Sequence, residues 1–194
     1  DKKELALRTL LGTAWMALRG WATPEVEANF TPALKLAKAL NHRPSYLPIL
    51  FGLWVSGQTQ GRSAEAHKWV DEILDAATAF DDADLRIMGH VMAQSSFYCL
   101  GNFEEARRHG ERIALLYDSE QGRRIEDVTY HDPLTANGIF GAQSLWMLGY
   151  PDKAVELYDT TIKHARARGN PFGMCFLLST GTFLFALNRD SSRM

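Results

Sequence analysis

A glycine followed five residues later by an alanine recurs along this chain wherever one helical pattern stops and another begins: Gly61 to Ala66, Gly101 to Ala106 and Gly149 to Ala154. Glycine tolerates the left-handed backbone that ends one helix and admits the next. The alanine falls on the inner face of the second helix, where a small side chain lets two antiparallel helices approach. The first helix should then carry a small residue seven or eight positions before the turn glycine, and Gly12, Ala93, Gly141 or Ala142, and Gly181 satisfy this. The copy with Leu53-Trp54 departs, although Gly52 is adjacent. Arg19-Gly20 begins the first copy, and Leu187-Asn188-Arg189-Asp190 begins a further one with Asn in place of Gly.

Apolar spacing is helical nearly throughout. Leu5, Leu7, Leu10, Leu11, Trp15 and Leu18 recur at three and four residues, and no sustained period-two pattern occurs. Thr23-Pro24, Asp132-Pro133, Tyr150-Pro151 and Gly169-Asn170-Pro171 read as helix starts, and Asn102 to Glu105 as a capping box variant. These signals predict nine helices, at about 2–19, 24–40, 45–59, 63–79, 83–100, 103–117, 133–148, 151–168 and 172–187. The polar stretch 118–131 reads as the one long loop. Residues 1–194 are thus expected to form a single all-α repeat domain of about four and a half helix pairs. With no initiator Met and no signal peptide, the chain reads as a piece of a longer protein.

Composition excludes several function classes. Net charge is −2 with no basic stripe, so direct nucleic-acid contact is not expected; Arg107-Arg108 and Arg123-Arg124 read as solvated helix charges. The longest apolar run, Phe172 to Leu187, is interrupted by Ser179, Thr180 and Thr182 and is too short to span a membrane. Cys99 and Cys175 lie in apolar runs without CxxC spacing, which predicts buried free thiols in a reducing cytoplasm.

The glycine turn with its alanine five residues on resembles the tetratricopeptide repeat, although the copies are longer than usual: 40 residues from Gly61 to Gly101 and 48 from Gly101 to Gly149. Arg19 to Glu27, His131-Asp132-Pro133, Leu145 to Ala154 and Gly169 to Phe172 are similar to one group within it. That group is the C-terminal repeat region of bacterial signalling ATPases fused to a nucleotide cyclase or a winged-helix transcriptional regulator domain. The resemblance implies a right-handed superhelix of antiparallel helix pairs and a regulatory, partner-binding role. It carries over no catalytic residue.

No phosphate loop, GxGxxG, GxSxG or HExxH occurs, so no enzyme activity and no cofactor are expected. His131-Asp132 is suggestive, because an adjacent acid raises a histidine pKa. Asp132 nevertheless stands where an N-cap is expected ahead of Pro133, and capping is the preferred role. His90, near Gln94, reads as a core or groove histidine, and Asp81-Asp82-Ala83-Asp84 as a loop and cap rather than a metal site. In a tetratricopeptide-like superhelix the first helix of each pair lines the concave face. That places Phe51, Val55, Gln58, Met88, Val91, Ser95, Tyr98, Ile139, Gln143 and Trp146 along a groove without Lys or Arg. Such a surface suits an apolar helix or the parent protein's upstream domains, and the alternative is a sensor for a neutral or apolar small molecule. The many apolar residues of 172–187 spread over more than one face and predict a homodimer through that helix.

Overall fold

The computed structural model describes residues 1–193, and these are all-α, with no strand among them. In chain order the helices are α1 (Lys2–Arg19), α2 (Pro24–Ala39), α3 (Tyr46–Thr59), α4 (Ser63–Ala66), α5 (Lys68–Ala79), α6 (Ala83–Cys99), α7 (Phe103–Leu116), α8 (Ser119–Thr129), α9 (Pro133–Met147), α10 (Pro151–Arg168) and α11 (Pro171–Leu187), with a 3-10 turn at Arg43–Ser45. The expected 63–79 helix is broken at His67 into α4 and α5.

The expected loop at 118–131 is instead mostly helix α8. Asp118 starts it by accepting from the N–H groups of Glu120 and Gln121, both at 3.0 Å. Its buried stripe is Gln121, Gly122, Ile125 and Thr129, which contains one large apolar side chain. Apolar periodicity cannot detect a helix whose inner face is polar. The inserted α8 also accounts for the 48-residue spacing between Gly101 and Gly149.

Left-handed residues set the rhythm. Tyr130 and Gly169 end α8 and α10 in this conformation, and the repeating turns fall at 41, 61, 81 and 101, twenty apart, and again at 149 and 189. At each, the next residue's N–H reaches back to close the helix: His42 to Ala37, Arg62 to Gly57, Asp82 to Ala77, Asn102 to Phe97, Tyr150 to Leu145 and Asp190 to Phe185, all at 2.9–3.0 Å. Asn41, Asp81 and Arg189 do with a side chain what Gly61, Gly101 and Gly149 do without one. In the last copy it is therefore Arg189 (φ 54°), not Asn188 (φ −78°), that takes the glycine's place.

The chain divides into two compact units, Asp1–Met92 and Ala93 onward, with the division inside α6. In the first unit α3 is central, with α1, α2, α4 and α5 against it. Eleven of its fourteen residues are buried, most of them large and apolar. The Phe30 ring fits between two glycines: a Cβ at Gly12 or Gly52 would lie 2.3 or 2.2 Å from it. In the second unit α9 is central, contacted by α7, α8, α10 and α11. Here Thr161 enters a notch at Gly138, and the Tyr158 hydroxyl one at Gly181.

These notches revise the expected role of the small residues. Gly12 and Gly181 admit a large side chain rather than an alanine. Gly141 faces Asn137, Gln94 and Leu157. In the Gly61 copy the residue opposite the alanine is Gly57, four positions before the turn, where a Cβ would lie 2.9 Å from that of Ala66. Ala66, Ala106 and Ala154 are themselves buried, as expected.

Neither Cys99 nor Cys175 forms a disulfide and both are exposed, which corrects the expectation of buried thiols. Cys99 ends α6 beside the turn, and Cys175 lies on the outer side of α11; an apolar run longer than one helical turn places some of its residues outside.

Candidate functional site

Of the ten residues expected to line a concave groove, seven are buried: Phe51, Val55, Met88, Val91, Ser95, Ile139 and Gln143. Gln58, Tyr98 and Trp146 are half-buried. Within the first unit, Phe51 packs on Trp54 at 5.7 Å between ring centroids. Within the second, Tyr98 packs on Phe103 and Phe140, at 5.8 and 5.7 Å. Gln143 donates to the Thr180 carbonyl at 3.3 Å, and Trp146 Nε1 to Asn188 Oδ1 at 3.2 Å. The last two side chains thus tie α9 to α11.

Asp132 is the N-cap of α9, accepting from the Thr135 N–H and hydroxyl at 2.9 Å each. Its histidine partner is not the adjacent His131. His164, from α10, places Nε2 2.8 Å from Asp132 Oδ2, and the Tyr117 hydroxyl donates to Oδ1 at 2.8 Å. Burial alone would raise the Asp132 carboxyl, but His164, the Thr135 amide and Tyr117 outweigh it and hold it below the usual carboxylate range. Burial and the Asp132 charge push the Tyr117 hydroxyl above its ordinary value. His131 shifts opposite to the sequence expectation. Its ring lies edge-on to Phe172 and Phe176, at 5.3 and 5.8 Å, and burial lowers it to about 4. Arg168 completes the cluster by pairing with Glu126. With four donors already on the Asp132 carboxylate, the cluster is built to pin α8, α9 and α10 together.

Asp82 plays the same part in the first unit. It accepts from the Asp84 and Leu85 amides at 2.9 and 3.1 Å and from Arg43. Burial raises its carboxyl, and these partners more than reverse that.

The second unit also has a groove of about 760 Å³ between α10 and α11. Tyr158, Ile162, Leu178, Gly181 and Phe185 form its apolar floor. Lys163 and Arg166 line one part of the rim; elsewhere Arg193 pairs with Asp159 and lies over the Phe185 ring at 4.1 Å. Sequence reasoning missed this groove because its walls are separated by the α10–α11 turn. Its signal was a basic α10 C-terminus followed by a helix without a charged residue.

Comparison with protein-family models and with curated proteins finds no match to this sequence. Among the described residues no helix is long and apolar enough to cross a membrane.

Proposed function

We propose that this chain is a non-catalytic, tetratricopeptide-like interaction module, with helix pairs stacked in a right-handed superhelix, that regulates a larger signalling protein by binding a protein partner. The observation that carries this reading is the recurring left-handed turn, with the central helix of each unit packed on near neighbours in sequence. A described surface with an apolar floor that suits such a partner is the α10–α11 groove. The buried polar clusters support the same reading: the hydrogen-bonding capacity of Asp132 and Asp82 is engaged in holding helices together.

The immobilised chain should capture a protein from the source lysate that, once purified, rebinds with defined stoichiometry in calorimetry. Stabilisation by a small metabolite with no protein rebinding would favour the sensor. Turnover abolished by a single substitution in the chain would refute the non-catalytic reading.

A further inference from the structure

We propose that the second unit binds a small neutral alcohol, about one ring in size, in a cavity lined by α7, α9 and α10, with its hydroxyl on the side-chain amide of Gln94. The inference goes beyond the interaction-module reading and does not depend on it.

The site begins with an orphaned acceptor. Gln94, on α6, is fully buried. Its Nε2 donates to Asn137 Oδ1 at 2.8 Å, but its Oε1 is buried with no donor among the described residues. A buried amide oxygen without a partner is costly. Two mid-helix glycines make room for this amide pair. A Cβ at Gly110 would lie 2.4 Å from Gln94 Nε2 and 2.6 Å from Asn137 Oδ1. One at Gly141 would lie 3.1 and 2.9 Å from the same two atoms. Gln94, Asn137, Gly110 and Gly141 all line one cavity of about 170 Å³. The amide heads therefore stand at the cavity wall.

The remaining walls select the ligand. Ala114, Leu145 and Leu157 are apolar. Arg107, the one cation among the lining residues, already pairs with Glu104 and Glu111, so an anion finds no free partner there. A water held against these walls would find few of the two to four polar partners it needs. A molecule with one hydroxyl and an apolar body satisfies Gln94 and covers the leucines at once. A hydroxyl both donates and accepts, so it serves whichever way the two amides are turned. The volume is close to the roughly 150 Å³ at which an apolar cavity accepts a benzene ring.

The probe is phenol, compared with toluene, which lacks the hydroxyl, and benzoate, which carries a charge. Methyl NMR of the intact chain should show saturable shifts at Leu145 and Leu157 with phenol at roughly millimolar concentration. Toluene should bind at least threefold more weakly although it is the more apolar, and benzoate at least tenfold more weakly. Ala114→Trp, at an exposed position on the cavity's edge, should abolish the shifts with the fold intact by circular dichroism. Gln94→Met removes the amide and should reverse the preference in favour of toluene. If that variant does not fold, Ala114→Trp and the three probes decide. No saturable shift with phenol overturns the proposal, and so does toluene or benzoate binding as tightly as phenol. Phenol binding that ignores Ala114→Trp places the probe elsewhere and overturns it too. So does a phenol-soaked crystal in which Gln94 Oε1 holds only water. Each of these failures leaves capture of a protein partner untouched.

Discussion

Helices α3 and α9 hold equivalent central places in their two units, and both are buried along most of their length, yet they are built from opposite materials. The buried face of α3 carries Leu47, Ile49, Leu50, Phe51, Leu53, Trp54 and Val55. That of α9 carries Thr135, Asn137, Gly138, Gly141, Gln143 and Ser144, with Ile139 its one large apolar residue. The first helix is held by removing hydrocarbon from water. The second adds to the apolar contacts of Ile139, Phe140, Leu145 and Trp146 a set of hydrogen bonds that reach neighbouring helices: Asn137 accepts from Gln94 at 2.8 Å, Gln143 donates to the Thr180 carbonyl, and the Asp132 cap accepts from His164 and Tyr117. Equal burial therefore does not mean equal energetics. An apolar core responds to lost volume, and a polar one to a lost partner or a changed proton.

Four perturbations test the contrast between the two constructions. The largest effect is expected in the first unit. Phe30→Ala leaves the paired notches at Gly12 and Gly52 empty and should destabilise by about 3–5 kcal/mol in urea unfolding. A loss below about 1 kcal/mol would show that the glycines close over the space. Asp132→Ala is the counterpart in the second unit. It removes the α9 cap and strands Tyr117 and His164, at a cost of about 3 kcal/mol. Hydrogen exchange should accelerate in α8 and α9 and leave α3 unchanged; a uniform change would erase the contrast.

Acid should also discriminate. His131 is lowered to about 4 in the folded state, against an ordinary value of 6.5. The unfolded chain therefore binds the extra proton first. Stability is full above about pH 6.5 and falls as pH drops toward 4, by on the order of 2–3 kcal/mol. Unfolding midpoints measured from pH 7.5 to 4 should show this slope, and His131→Phe should flatten it. Asp132 and Asp82, both held low, add a second loss only at more acid pH, below their ordinary value of 3.8.

The smallest effect should be the same in both units, because the turn is common to them. Gly61→Val (φ 75°) and Gly149→Val (φ 88°) should each destabilise by about 1 kcal/mol or more. Arg189→Gly should raise the melting temperature slightly, since φ 54° suits glycine better. Unequal responses at Gly61 and Gly149 would mean that the two turns bear different loads.

The sequence by itself determined what depends on neighbours within a turn or two of helix. Glycine at the left-handed positions, proline at helix starts and the Asn102 and Asp132 caps are local chemistry, and they marked the helix boundaries to within a few residues. The buried alanines after each turn were legible for the same reason. Only the tertiary structure decided the partners of polar side chains. His131 is next to Asp132 in the chain, but a helix start points the two side chains apart, and His164, 32 residues away, takes the carboxylate. Helix α8 escaped detection because its inner face is polar, so its burial depends on hydrogen-bond partners that periodicity does not register. The α10–α11 groove is likewise invisible to spacing. Only the packing of α10 on α11 brings Ile162 and Leu178 to one surface.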